Sequence, residues 1–312
     1  MVQQPESFKS GFVALVGRPN VGKSTLMNAV LGVRLSIATP KPQTTRNRIL
    51  GVHNVEDRAQ IVFVDTPGIH VARTRLNKAM VAAAYEATLQ TNLVVFMVDA
   101  ASVISGGSKP VIWGDDSRIL QRLPEGVFQI LVINKIDKLK NPNQLLPALE
   151  KLSAMNKFDQ IIPLSALKKS NIDRLLEVLI ENLPEGQPLY PEDALTDRAE
   201  RFVAAEIIRE QVLRQTEEEI PYSVAVEVEE FLDGTDGILH VKATIHVERE
   251  SQKGIVIGKG AARLKEIGTE SRKRLSEFFG RRVDLRTLVR VESEWTQSDK
   301  GLLRFGYGRE EI

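Results

Sequence analysis

The stretch Gly17-Arg18-Pro19-Asn20-Val21-Gly22-Lys23-Ser24 decides the fold of the first half of this chain. It fills every fixed position of the pattern GxxxxGK[ST] and stands between the apolar run 12–16 and a helix-like stretch over 23–31. Strand, glycine-rich loop and helix start make an anion cradle, because the loop N–H groups converge and the helix N-terminus favours negative charge. Gly17, Asn20, Val21 and Gly22 supply its backbone, Lys23 is placed to reach the terminal phosphates of a nucleotide, and the Ser24 hydroxyl can ligate Mg²⁺. Thr25 follows in the first helical turn.

Two further segments belong to the same pocket. The run 61–64 is apolar and β-branched, as a buried parallel strand is, and ends in Asp65-Thr66-Pro67-Gly68. Open α/β sheets bind ligands at strand C-termini, so Asp65 can hold Mg²⁺ through a water and the Gly68 N–H can meet a γ-phosphate. The strand over 129–133 leads into Asn134-Lys135-Ile136-Asp137. Asp137 can accept hydrogen bonds from the ring N–H and the exocyclic amine of guanine. Adenine has neither donor at those places, and leaving a buried carboxylate unpaired rejects a ligand by roughly 10⁴-fold. Asn134 would brace this loop, and the aliphatic stem of Lys135 could cover one face of the base. GTP and GDP with Mg²⁺ are the expected ligands.

With these three segments the chain resembles the translation-associated small GTPases. The resemblance implies that the polar stretch 34–48 is a first switch loop, with Thr45 as its threonine and Thr44 as the competing assignment. The Thr45 hydroxyl would join Ser24 and Asp65 around Mg²⁺ while its backbone senses the γ-phosphate. Ser165-Ala166-Leu167 resembles the last guanine loop of the family, in which the Ala166 N–H meets the guanine carbonyl. After Gly68 comes Ile69, where many small GTPases carry a water-orienting glutamine, so intrinsic hydrolysis is expected to be slow. By the same resemblance Asn20 could ligate a K⁺ ion standing in for an arginine finger. Lys23, Thr45, Gly68 and Asn20 are then the residues nearest the chemistry.

The whole chain has 312 residues, 42% hydrophobic and 27% charged, with a net charge of +1, which fits a globular protein of roughly two domains. It has no cysteine, hence no disulfide framework, no thiolate metal site and no cysteine nucleophile. Residues 1–11 lack the basic end and apolar core of a signal peptide, and no apolar run approaches the ~18 residues of a membrane span. A cytoplasmic location is expected. Three prolines and a glycine within 183–196 read as a linker, giving a first domain over 1–183, a linker over 184–197 and a second domain over 198–312. In the first, apolar runs at 12–16, 61–64, 93–98, 129–133 and 161–164 alternate with helical stretches, the pattern of an α/β doubly wound sheet. The stretch 102–116 reads as a loop insertion.

The second domain reads as a helix over 198–215, β-like runs at 222–231 and 238–249, a helical region over 261–279 and a last run at 282–291. This is a small α+β unit. Between its second and third β-like runs stands Gly254-Ile255-Val256-Ile257-Gly258-Lys259-Gly260-Ala261, which resembles the RNA-clamping GXXG turn of a type II KH fold, with Ala261 in place of the second glycine. Residues 253–290 hold 11 basic against 4 acidic residues, while acids crowd 217–236. Such segregation favours a polyanion partner, and the shortage of aromatics beyond Phe278 and Phe279 favours a backbone clamp over base stacking. Lys253, Ile257, Gly258, Lys259, Gly260, Ala261, Arg263 and Lys265 are the candidate RNA contacts.

A P-loop GTPase domain followed by a linker and a KH-like domain resembles the Era family of bacterial ribosome-assembly GTPases. Gln43-Thr44-Thr45-Arg46, Gln252-Lys253-Gly254 and Leu303-Arg304-Phe305-Gly306-Tyr307 carry the likeness further. The resemblance implies GTP-controlled binding to the 3′ end of 16S rRNA on the small ribosomal subunit. It also implies a monomer, and any contact with the inner membrane surface would be peripheral. An RNA-binding scaffold with nucleotide as a structural ligand is the alternative reading. A tRNA-modifying relative is disfavoured by the missing cysteine motif, and tandem-GTPase relatives by the single phosphate loop.

Overall fold

The structure is a computed structural model that describes residues 7–39, 41, 44–69, 74–104, 111–216 and 220–307, with no side-chain description at 221 and 222. Gln43, the first residue of Gln43-Thr44-Thr45-Arg46, lies outside the described residues. The chain divides into two compact units. Met1–Gly32, Asn47–Val71 and Met80–Asp197 make the first, and Val33–Arg46, Ala72–Ala79 and Arg198–Ile312 the second.

The first unit contains β1 (Lys9–Gly17), α1 (Lys23–Leu31), β2 (Ile49–Val55), β3 (Ala59–Asp65) and all but the start of α2 (Arg75–Leu89). It continues with β4 (Leu93–Asp99), α3 (Ala100–Ile104), α4 (Asp115–Leu120), β5 (Phe128–Asn134), α5 (Leu146–Ala154), β6 (Gln160–Pro163) and α6 (Ile172–Asn182). Among the described residues its sheet has the order β2-β3-β1-β4-β5-β6. Strands β3, β1, β4, β5 and β6 are parallel, and the apolar runs that form β1, β3, β4 and β5 are buried on both faces, which is why they read as continuous rather than alternating, while β6 at the edge is only partly covered. The doubly wound reading lacks β2. That strand is an antiparallel edge, hairpinned onto β3, and its second half is only partly buried, so it carries His53 and Asn54 and no sustained apolar signal.

Residues 184–197, read as a linker, are held along the first unit. Ser10 N–H donates to the Pro184 carbonyl at 3.0 Å, Gly186 N–H to Phe8 at 3.0 Å, and Val52 N–H to Leu195 at 2.9 Å. The side chain of Gln60, fully buried, accepts from Leu189 and Tyr190 N–H at 2.7 and 2.9 Å and donates to the Tyr190 carbonyl at 2.9 Å. Proline-rich sequence excludes regular structure, yet its carbonyls remain good acceptors, and a strand edge supplies the donors. The expected insertion at 102–116 is helical at both ends, in α3 and α4, while 105–110 lie outside the described residues.

The second unit contains α7 (Glu200–Gln215), α8 (Ile220–Ser223), β7 (Ala225–Asp233), β8 (Leu239–Val247), α9 (Glu250–Ile257), α10 (Ala262–Phe279), β9 (Val283–Val291) and α11 (Asp299–Arg304). Strand β8 pairs antiparallel with β7 and parallel with β9, giving the order β7-β8-β9. With its helices this is the α-β-β-α-α-β arrangement of a type II KH domain. Helix α9 has no counterpart in the sequence reading, since its core, Gly254 to Ile257, combines a glycine with three β-branched residues. Its start is fixed by buried Gln252, whose side chain accepts from Glu248 and Arg249 N–H at 2.8 and 3.1 Å. No helix among the described residues is long and apolar enough to cross a membrane.

Candidate functional site

Strand β1 ends at Gly17 and α1 starts at Lys23, so the intervening loop crosses the C-terminal edge of the sheet. Gly22, at φ 107°, caps α1 without a side-chain bond, which leaves the first helical N–H groups for an anion. A Cβ on Gly22 would lie 2.2 Å from Asn134 Nδ2. That approach matters because Asn134 is the brace of the whole pocket. Its Nδ2 donates to the Val21 carbonyl at 2.8 Å, and its Oδ1 accepts from the Ala166 N–H at 3.0 Å. One buried amide thus ties the phosphate loop to both base-recognition loops.

Around it the predicted residues converge. Ser24 Oγ donates to Asp65 Oδ2 at 2.7 Å. One hydroxyl and one carboxylate, with no all-protein cage, suit Mg²⁺, which keeps waters and takes further ligands from phosphates. Among the described residues no group of three or more His, Cys, Asp or Glu could hold a metal alone. Lys23, 6% exposed, donates to the carbonyls of Gly17 and Arg18 at 3.0 and 3.1 Å. Burial pushes its pKa down to about 8, while Asp65 and Asp116 pull the other way. Ser165 Oγ donates to Asp137 Oδ1 at 2.5 Å, orienting the carboxylate, and Lys168 N–H donates to the same hydroxyl at 3.1 Å. Lys135, at φ 66°, lays its ammonium 2.8 Å from Asp99 Oδ2, and Leu167 beyond Ala166 is exposed.

The loop after β3 is anchored by Thr66, whose hydroxyl donates to the Leu15 carbonyl at 2.7 Å. A Cβ on Gly68 would lie 2.7 Å from Pro19 Cα, so this loop reaches the phosphate loop. Ile69 N–H donates to the Gly17 carbonyl at 3.1 Å, and its side chain is buried in the core beside Ala14 and Val16. Asn20, beside Pro19, holds φ 64°. Sequence reading missed Arg18 and Asp116. Arg18 Nε donates to Asp116 Oδ1 at 2.8 Å and its Nη2 to Ser102 Oγ at 3.2 Å, which gives the 102–116 stretch a role in holding the phosphate loop. Burial raises the pKa of Asp116, and Arg18 opposes that shift. Nothing local in the sequence pairs residues so far apart.

Thr45 is buried and falls within the second unit, in Val33–Arg46. In the same unit Lys259–Ala261 form a 3₁₀ turn between α9 and α10. Gly258 holds φ 72°, and a Cβ there would lie 2.9 Å from that of Arg263. Arg263 braces the turn, its Nη1 donating to the Ile255 carbonyl at 2.5 Å. Gly260 is left-handed at φ 58° and so is Ala261 at φ 61°. Ile257 is half-buried, and Lys253 lies 3.8 Å from Glu250. Lys259 and Lys265 are exposed, and among the described residues neither has an acidic partner within salt-bridge distance. Much of the remaining basic run is paired, as in Arg281 with Asp233 at 2.6 Å and Arg274 with Glu277 at 3.0 Å. Phe279 packs edge-on against Phe231 and Phe278.

Residues 12–135 match the family model described as 50S ribosome-binding GTPase, and residues 219–296 match the KH domain. The chain is 47% identical to GTPase Era of Syntrophus aciditrophicus (strain SB) over 302 residues, covering 96% of this chain and 95% of that protein. It is 46% identical to GTPase Era of Geotalea daltonii over 303 residues, covering 97% and 99%. A solved structure of Era in complex with MgGDPNP and nucleotides 1506–1542 of 16S ribosomal RNA is 40% identical, with a TM-score of 0.91 over 97% of this chain and 100% of that one. A point variant of Aquifex aeolicus Era bound to GDP·AlF4⁻ matches with 40% identity and a TM-score of 0.91, covering 96% and 100%.

Proposed function

Since the chain belongs to the Era family of GTPases, we propose that it is a GTP-controlled switch that binds the 3′ region of 16S rRNA during assembly of the small ribosomal subunit. The likeness to the MgGDPNP and 16S rRNA complex, which extends over both units, carries this reading. The nucleotide pocket takes GTP or GDP through Gly17, Asn20, Val21, Gly22, Lys23, Ser24 and Thr25, and reads guanine through Asn134, Lys135, Asp137 and Ser165-Ala166-Leu167. Ser24 and Asp65 would hold Mg²⁺, with Thr45 as the switch threonine expected to join them, and the ion would neutralise charge developing on the phosphates. Lys23 shares that role, and the Gly68 N–H positions the γ-phosphate. RNA is clamped at Gly258-Lys259-Gly260-Ala261, with Lys253, Ile257, Arg263 and Lys265 around it.

The buried Ile69 side chain offers nothing to orient water, so intrinsic turnover is slow and depends on supplied charge. Asn20 is the ligand for K⁺ in that role. Turnover should be faster in potassium than in sodium salts, and Asn20→Ala should abolish the difference; equal rates in both salts would remove the ion from the mechanism. The domains run over 1–183 and 198–312, the protein acts as a monomer in the cytoplasm, and membrane contact is peripheral.

Crosslinking the purified protein to total ribosomal RNA with a GTP analogue, then sequencing the bound fragments, tests the partner. Recovery of a 3′ segment of 16S rRNA is expected. Fragments scattered over both ribosomal RNAs would refute the assignment.

A further inference from the structure

Val33–Arg46, the segment that carries Thr45, is bound within the second unit by cations meeting main-chain carbonyls. Lys41 Nζ donates to the carbonyls of Leu213 and Thr216 at the end of α7. Arg209 Nη2 donates to the Thr44 carbonyl at 2.5 Å, and Arg214 Nη2 to that of Ala38 at 3.4 Å. Arg46 is the most elaborately received of these. It is 2% exposed, its Nη1 donates to the Val224 carbonyl at 2.8 Å, and its guanidinium lies 5.8 Å from the ring centre of Trp295 and 5.5 Å from that of Tyr307.

The receiving site is built from three aromatic residues beyond the last strand. Trp295, 1% exposed, stacks on Tyr307 at 5.7 Å, meets Phe305 edge-on at 4.9 Å, and is fixed by Nε1–H donation to the Ser223 carbonyl at 3.0 Å. Two aromatic rings and a carbonyl directed at one guanidinium make a cation receptor. Its occupant shares the interior with a second guanidinium. Arg209, 1% exposed, is held by Glu206 through Nε at 2.7 Å and Nη2 at 2.6 Å. A well-formed geometry set against the desolvation of two like charges gives a contact able to release.

We propose that Trp295, Tyr307 and Phe305 form a latch for Arg46 through which the C-terminal unit reads the nucleotide state. The cage holds Arg46 in one nucleotide state and gives it up in the other, as Thr45 changes its place relative to the nucleotide. The latch deepens the switch reading of Thr45 and rests on it. Arg46, Trp295 and Tyr307 are positioning residues, since none touches substrate in this scheme.

The sequence provides the reporter, because its two tryptophans are Trp113 and Trp295. In full-length Trp113→Phe protein, Trp295 emission should change in intensity and wavelength when GDP is replaced by a GTP analogue. Adding Arg46→Ala should abolish that change, bring the ratio of RNA affinities in the two nucleotide states towards one, and leave GDP affinity unaltered. Identical emission with GDP and analogue overturns the latch, and so does an undiminished affinity ratio in the Arg46→Ala protein. The emission of the Trp113→Phe parent decides the question even if Arg46→Ala fails to fold. A parent whose emission responds while its RNA affinity ignores nucleotide would keep the latch and refute the proposed GTP control of RNA binding; the converse would refute the latch alone.

Discussion

Under the proposed function Asp137 chooses the base by charge-assisted hydrogen bonds, and the 2.5 Å bond from Ser165 orients its carboxylate. Asp137→Asn keeps the shape but offers a donor where guanine presents donors. With hydrogen bonds to a charged group worth about 1.5–3 kcal/mol each, two such losses should cut the preference for GTP over ATP by at least ~100-fold. Competition binding with both nucleotides measures this, and undiminished selectivity would discredit the guanine assignment. Lys23 supports a second prediction. Its folded pKa of about 8 lies below the ordinary value of 10.5, so its burial weakens the nucleotide-free fold below pH 8. That penalty disappears as pH climbs from about 8 towards 10.5. Phosphates beside the ammonium restore the charged form, so GDP binding at pH 8 should take up about half a proton. Calorimetry in two buffers of different ionisation enthalpy reads that uptake directly; zero uptake would place Lys23 elsewhere than against the phosphates.

The 3₁₀ turn into α10 carries the clearest element-level strain. Ala261 is the helix N-cap at φ 61°, a left-handed conformation that costs an alanine roughly 1–2 kcal/mol and a glycine little. Ala261→Gly should therefore stabilise the protein by about 1 kcal/mol in denaturant titration and admit the RNA backbone more closely. Unchanged stability together with unchanged RNA affinity would argue that the turn is relaxed as it stands. Of the elements, those that declared themselves in the sequence are the ones with a single cause. Strands β1, β3, β4 and β5 are apolar because both faces are covered, and α1 follows from the phosphate loop. Edge strand β2 and helix α9 stayed hidden, one for want of burial on half its length, the other because a capping glutamine overrides poor helix formers. The site splits the same way. Lys23, Ser24, Asp65, Asn134 and Asp137 are legible because each sits at a fixed offset from a strand end. The Arg18–Asp116 pair, joining the phosphate loop to α4, has no local signature.

At the scale of the whole molecule, the division into units cuts across the order of the chain. Val33–Arg46 and Ala72–Ala79 group with the C-terminal residues, although the segments before and after them build the nucleotide sheet. Under the proposed function the first of these stretches carries Thr45, where γ-phosphate is sensed, so nucleotide and RNA act on residues of one unit. Any such sharing is a coupling free energy, and it must be reciprocal. If a GTP analogue tightens RNA binding by some factor relative to GDP, RNA must raise the preference for the analogue over GDP by that same factor. Coupling of the usual size, ~1–3 kcal/mol, predicts a factor of about 5–150. Both arms are measurable on the full-length protein, by titrating a 16S 3′ oligonucleotide into each nucleotide state and each nucleotide into the RNA-bound and RNA-free protein. Two equal factors above ~5 are expected. Two factors of one would leave a GTPase and an RNA-binding unit joined on a single chain without a switch between them.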